Sequence, residues 1–347
     1  MKRSYLFPSV YEETFVDHYK VAENFMDGMK IVKFNNHDYL IGNLALSEGV
    51  YPHKFLNSSV NDIDYQLLAL TSLIIASHGK FERLVLTVGF PYISYNIYKK
   101  AAVDFLLGKH QVSFDTRTFG GNGIESLAVN IDKVEVISEL DGCIRAIRDG
   151  QTAEKNNFFV GSLGFGSFEL ALSTPAGVVQ RTTHSERGIN YAVNILENEI
   201  RKEYYLNLSE QQIERAFQRG TFVINRRKVD VTELRKQALT SYYNEVLSPA
   251  MRKKFVDEDY LKTQKIYLVG GGAMYPELVN LFKEEFNSII EVIVIPEPYL
   301  CASEGYCLNS LSSAQSSSTM ETRDSTAYVG IDIGNSNTVV TVFTYND

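Results

Sequence analysis

Apolar residues fall along the chain in short runs separated by small polar turns, and the pattern predicts strands alternating with helices. Tyr5–Val10 reads as a short strand interrupted by Pro8. Met29–Phe34 and Tyr39–Ile41 read as a hairpin turning at Asn35-Asn36-His37-Asp38. Leu67–Ser77 is an apolar helix, Leu84–Pro91 a buried strand ending in a Gly/Pro turn, and Ser94–Leu107 a second helix. Val134–Ile137 is a strand and Leu140–Arg148 a helix. A polar break follows at 149–157, and then the pattern starts afresh. Phe158–Leu172 is strand, glycine-punctuated turn, strand. Gly188–Tyr205 is a long amphipathic helix, and Ser209 caps another. Phe222–Val231 is a basic hairpin and Thr232–Ser248 a helix. Ile266–Val269 leads through three glycines into a helix, Ile289–Val294 is a strand, and Ala302–Leu311 a last helix. Residues 312–326 are serine-rich and aperiodic, and read as a flexible linker.

The chain then closes on a further strand–turn–strand, Ala327–Phe343, whose turn is unusual in chemistry. Asp332 stands where the first strand ends. Gly334 permits a tight fold, and Asn335, Ser336, Asn337 and Thr338 supply short polar donors. Turn amides and hydroxyls of this kind wrap a phosphate, while a carboxylate holds the hydrated Mg²⁺ that accompanies it. An ordinary hairpin with a polar tip has the same pattern. The echo at 158–172, with Gly164, Phe165, Gly166 and Ser167 at its turn, weakens that blander reading. Gly270-Gly271-Gly272-Ala273, between strand and helix, is a third place where backbone can approach a ligand closely.

Composition narrows the choice. With 347 residues there is room for two domains, and the hydrophobic fraction of 44% is that of a soluble globular chain. A net charge of −8 argues against direct binding to nucleic acid. Cys143, Cys301 and Cys307 make no disulfide framework, which favours the cytoplasm. The six histidines, at 18, 37, 53, 78, 110 and 184, show no metal-ligand spacing. No stretch reaches membrane-spanning length, and the N-terminus lacks a signal peptide's apolar region.

Two phosphate-type hairpins and a strand–Gly-Gly-Gly–helix junction resemble the actin-like ATPase superfamily, and within it the bacterial plasmid-segregation actins of the ParM and Alp type. Pro8-Ser9, Tyr39–Ala45, Val85–Pro91 and Ile213–Phe217 with the basic hairpin behind it are similar to segments of that group. The resemblance implies an α/β, actin-like (ribonuclease H-like) fold of two domains with a nucleotide cleft. Domain I would comprise 1–150 and 301–347, domain II 151–300. Family members begin with the hairpin found here at 327–343 and end with the helix at 302–311, so the order implies a circular permutation, engineered rather than natural. Met320 reads as a former initiator, and Asp347 would once have continued towards Ser4. A linker of about 14 residues spans roughly 20 Å as a coil, adequate to join the old ends.

The same resemblance implies roles. Asp332 would hold Mg²⁺ through water, and Gly334 to Thr338 would wrap the β- and γ-phosphates of ATP or GTP. Gly164, Phe165, Gly166 and Ser167 would form the opposite loop, and Gly270 to Ala273 would pack on the adenosine. Glu139 would position the attacking water; a carboxylate favoured by the dipole at a helix start is the alternative. Arg187, Lys202, Glu214 and Phe217 would line the base. Where the family keeps an Asp in the second hairpin this chain has Ser162, so hydrolysis is slow, or Asp332 and Glu139 do more of the work, or the register is shifted and Glu169 compensates from the returning strand. The function implied is a filament-forming ATPase that segregates plasmid DNA through a DNA-binding adaptor. The alternatives are a weakly hydrolysing, non-polymerising scaffold of the pilus or division type and, less favoured, a small-molecule kinase.

Overall fold

The computed structural model describes residues 1–55, 59–77, 81, 83–315 and 325–345. His78, the stretch 316–324 with Met320, and Asp347 lie outside the described residues. The strands in chain order begin with β1 Lys2–Pro8, β2 Val10–Thr14, β3 Lys30–Phe34, β4 His37–Ile41, β5 His53–Lys54 and β6 Arg83–Phe90. Next come β7 Gly108–Asp115, β8 Ile124–Ser138, β9 Phe158–Leu163, β10 Ser167–Thr174, β11 Gly177–Val178 and β12 His184–Arg187. The remainder are β13 Thr221–Ile224, β14 Arg227–Asp230, β15 Lys265–Val269, β16 Glu291–Val294, β17 Thr326–Ile333 and β18 Asn337–Phe343. Between them lie α1 Asn43–Glu48, α2 Ile63–Ser77, α3 Tyr95–Leu106, α4 Glu139–Asp149, α5 Asn190–Tyr204 and α6 Glu210–Arg219. The later helices are α7 Thr232–Tyr242, α8 Ser248–Lys254, α9 Asp257–Lys262, α10 Pro276–Glu285 and α11 Cys301–Gln315.

These elements fold as two compact units, Met1–Glu154 with Leu300–Asp347, and Lys155–Tyr299. In the first, the sheet runs β1-β18-β17-β6-β8-β7-β3-β4-β2-β5. The chain's last hairpin is therefore inserted between β1 and β6, inside the sheet. β18 pairs antiparallel with both β1 and β17, whereas β17, β6 and β8 run parallel. Central strands buried on both faces need continuous apolar sequence, which β6 and β17 supply. The second unit's sheet runs β11-β10-β9-β15-β16, with β12 also on β10. Here β9, β10 and β11 are antiparallel and β9, β15 and β16 parallel. Both sheets thus contain one five-strand plan, a three-strand meander followed by two parallel strands.

Each unit has its own apolar core. In the first, α2 is buried along almost its whole length against the sheet. On the other side α4 and α11 cross at glycines: a Cβ on Gly305 would stand 1.8 Å from the Gly142 carbonyl oxygen, and one on Gly142 would stand 2.3 Å from the Tyr306 ring. In the second unit Phe159, Phe168, Leu196, Phe217, Leu239 and Phe282 join one cluster.

Several elements differ from the sequence reading. The turns of β3–β4 and β13–β14 are two residues long, Asn35-Asn36 and Asn225-Arg226, each pair left-handed, so His37 and Asp38 belong to the returning strand. The strand expected at 134–137 is the end of the fifteen-residue β8, paired with the unanticipated β7. α2 begins at Ile63, before Leu67. The helix expected at 232–248 passes through a widened turn at Tyr243–Leu247 and continues to Lys254. The three glycines do not open a helix directly: Gly271–Met274 is a 3₁₀ turn, and α10 starts at Pro276. Ser312 and Ser313 are helical rather than linker, and their hydroxyls donate back to the carbonyls of Leu308 and Ser310. Ser209 does cap its helix, accepting from Gln212 in a reciprocal capping box.

The glycine crossing gives a stability prediction. Gly305→Ala should destabilise the protein by at least about 2 kcal/mol, since neither backbone can move away. Gly271→Ala, with nothing within 4 Å of its added Cβ, should leave the urea midpoint unchanged.

Candidate functional site

The two hairpins expected to hold phosphate are built alike. In the first unit, Ile333 faces Thr338 across the strand pair, and the Gly334 amide donates to the Asn337 carbonyl at 3.1 Å. In the second, Leu163 faces Phe168, and the Gly164 amide donates to the Ser167 carbonyl at 2.9 Å. Each turn lies at the carboxyl end of a strand, β17 or β9, that has a parallel neighbour. That is the end at which open α/β sheets bind ligands.

The first turn is braced by the start of the chain. Ser9 donates its amide to the Ser336 carbonyl at 3.0 Å, its hydroxyl meets that of Thr338 at 2.9 Å, and Asn335 donates to the Phe55 carbonyl at 3.4 Å. Thr338 is fully buried, so its hydroxyl is spent on Ser9 rather than offered at the turn's mouth. Sequence reasoning assigned Ser9 no role at the site, because its partner lies 329 residues away.

Asp332 and Glu139 come together in this unit. β6 lies between β17 and β8, and Asp332 stands near the end of β17 while Glu139 directly follows β8. Glu139 is also the first residue of α4, whose start is capped by Ser138 accepting from the Asp141 amide at 3.0 Å. It is thus a helix-start carboxylate, in the first turn where the dipole favours negative charge. Burial pushes the Asp332 carboxyl up to about 8, with the negative charge of Glu139 adding to the shift. Among the described residues no group of three or more His, Cys, Asp or Glu could hold a metal ion by itself. One or two carboxylates completed by ligand phosphates is the donor set Mg²⁺ takes, so Asp332 with Glu139 nearby fits that ion.

In the second unit the turn is held from behind. The carbonyls of Gly164, Phe165 and Gly166 accept from the amides of Ile189, Asn190 and Gly188 at 2.9–3.1 Å. In a trans peptide the N–H lies opposite the carbonyl, so the amides of Phe165, Gly166 and Ser167 point away from α5 as a group. Gly188 makes this possible, for a Cβ there would lie 2.5 Å from the Phe165 oxygen. The sequence reading had not assigned it a role. The three glycines pack on the same hairpin. Cβ atoms at Gly270 and Gly272 would stand 2.7 and 2.6 Å from Leu163 atoms, whereas Gly271 meets nothing. Ala273 is buried, which leaves Gly271 as the one of the four with open space for a ligand.

The residues expected near a base are placed less uniformly. Phe217 is core, 1% exposed and edge-to-face with Tyr275, and is corrected from a lining residue to a packing one. Lys202 is exposed and pairs with Glu199 one turn away at 2.7 Å. Glu214 is half-buried on α6, and Arg187 lies over the Tyr191 ring at 4.4 Å. Ser162 and Glu169 are both buried and face one another across β9 and β10.

Comparison with known proteins now places the chain. The fold is that of the actin homologues. It aligns with a crystal structure of Ta0583, an archaeal actin homologue, at a TM-score of 0.69 and 14% identity, over 89% of this chain and 92% of that one. A ParM from Clostridium botulinum, solved as a 15-stranded filament, gives 0.70 and 14% over 88% and 92%. The actin-like protein Alp7A gives 0.63 and 17% over 89% and 90%. Residues 2–139 match the family model for the N-terminal domain of actin-like proteins, and 169–280 match that for the C-terminal domain of an archaeal, MreB-like actin homologue. The two models fall one in each unit, and the neighbours share the fold over nearly the whole chain. No curated protein matches it by sequence.

The raised carboxyl gives a pH prediction. An unfolded Asp ionises near 4, and in the folded protein Asp332 keeps its proton to about 8, so stability contributed by this group is lost as pH rises between the two. Asp332→Asn should therefore stabilise the ligand-free protein at pH 8 and lose that advantage towards pH 4. Urea midpoints of the two proteins at both pH values check this.

Proposed function

We propose that the chain binds ATP with Mg²⁺ through both glycine hairpins, hydrolyses it, and assembles into filaments with copies of itself. The observation that supports this reading above the others is the pair of like-built turns, each closed by a glycine amide at the carboxyl end of a parallel strand. The amides of 165–167 and the turn 334–337 would take phosphate oxygens. Asp332 would hold the metal through water, and Glu139 would orient the water that attacks. Mg²⁺, when bound, neutralises the β- and γ-phosphate charge. Gly271 would lie against the nucleoside, with Glu214, Arg187 and Lys202 as further candidates.

Support for a filament comes from a neighbour solved as a ParM filament, and support for a bound nucleotide from another, Ta0583, solved with ADP. A role in plasmid segregation would use an adaptor to reach DNA, in keeping with the net charge of −8. Among the described residues no helix is long and apolar enough to cross a membrane, and we place the protein in the cytoplasm. A second reading, a weakly hydrolysing scaffold, is favoured by Ser162, which carries no charge.

We also propose that the strand order is permuted. In the second unit the five-strand plan follows the chain, β9, β10, β11, β15, β16. In the first unit the same positions are held by β17, β18, β1, β6 and β8, the same plan shifted cyclically by two strands.

The filament reading predicts that the protein pellets with ATP and Mg²⁺ far more than with ADP, and releases phosphate as it does so. ATP bound without either pelleting or release would favour the scaffold. Replacing ATP by GTP in the same assay fixes the nucleotide preference. The permuted reading predicts that fusing residues 325–345 ahead of Met1, and deleting them from the end, preserves the melting temperature and nucleotide affinity. An unfolded product would overturn it.

A further inference from the structure

Two exposed patches of opposite charge lie in the second unit, and neither belongs to the glycine turns. The first is the β13–β14 hairpin, a two-stranded sheet of its own. Phe222 and Val229 oppose one another on the face that packs on the core. The other face sets Val223, 70% exposed, opposite Lys228, with Arg226 and Arg227 exposed at the turn. Arg226 has a φ of 64°, where glycine is preferred, so this cation stands there against the local preference of the backbone. None of the three cations forms an ion pair among the described residues, in a chain whose net charge is −8.

The second patch is α9. Asp259 is its structural acid, buried and held by Arg181. Asp257 and Glu258 are exposed and form no ion pair among the described residues. They stand four and three residues before Leu261, so all three share one helix face, and Leu261 is 85% exposed. Of the cations nearby, Arg252 is already taken by Glu285 at 3.1 Å. Each patch is thus an exposed aliphatic side chain flanked by charge, positive on the hairpin and negative on α9.

Their placement keeps them apart within one chain. The hairpin leads directly into α7, whose helical backbone runs on through the widened turn and α8 to Lys254, just before α9 begins. At 1.5 Å per residue that helix is roughly 35 Å long. Patches at its two ends can meet only their counterparts on other copies. Such a contact is heterologous, and repeated without closure it builds a filament.

We propose that the β13–β14 hairpin of one copy docks on α9 of the next, Val223 against Leu261, and Arg226, Arg227 and Lys228 against Asp257 and Glu258. The inference rests on the filament reading above and names the surfaces through which the filament runs. The charges select the partner and its orientation, while the aliphatic pair excludes water between them.

Pelleting with ATP and Mg²⁺ at a series of protein concentrations gives the critical concentration. Arg226→Glu/Arg227→Glu sets acid against acid, Asp257→Lys/Glu258→Lys sets base against base, and each should raise that concentration at least about tenfold. An equimolar mixture of the two variants makes every contact complementary again and should pellet near the unaltered protein's concentration, a rescue that misfolded variants could not give. Either variant pelleting like the unaltered protein would overturn the proposal. So would a mixture of the two, each folded by circular dichroism, that pellets no better than its components. A hairpin that serves nucleic acid instead would show as normal pelleting of Arg226→Glu/Arg227→Glu with loss of duplex DNA retention, and that also counts against the proposal. Failure of the unaltered protein to pellet with either ATP or ADP is a separate result, and it would overturn the filament reading along with this one.

Discussion

A hydrogen bond from a glycine amide to the carbonyl three residues on closes each of the two hairpins, Gly334 to Asn337 and Gly164 to Ser167. Most of what distinguishes this molecule is arranged to hold those turns. A loop closed so tightly must present its remaining amides in a fixed direction, and fixed amides attract anions without reorganising. In the second unit the amides of residues 188–190 tether the turn from behind, at a distance only glycine at 188 permits. In the first, Ser9 does the equivalent work from an adjoining strand end.

Charge is the second constraint. Asp332 and Glu139 are brought to the same end of three parallel strands, and burial, with the charge of Glu139 adding to it, raises the proton affinity of Asp332.

Much of this was legible before any coordinates. The hairpins at 158–172 and 327–343 announce themselves because β-branched runs flank glycine-bearing turns, and Ser209 with Gln212 is a capping box readable letter by letter. What escaped has physical reasons. β7 and the first half of β8 expose much of their surface, so their apolar alternation is faint. The helix after Gly272 starts late because Pro276 is suited to a first helical turn and the glycines before it are not. Phe217 looked available to a base, yet a large aromatic on an amphipathic helix usually serves the core, as it does here. Ser9 and Gly188 act only through partners that folding brings near, and one sequence carries no signal of such pairs.

The central proposal is that these turns hold nucleotide phosphate. A crystal structure with a non-hydrolysable ATP analogue and Mg²⁺ tests it most directly. The account predicts phosphate oxygens on the amides of residues 165–167 and on the 334–337 turn, with the metal's water shell meeting Asp332. A nucleotide bound elsewhere, or touching only one of the turns, would contradict it.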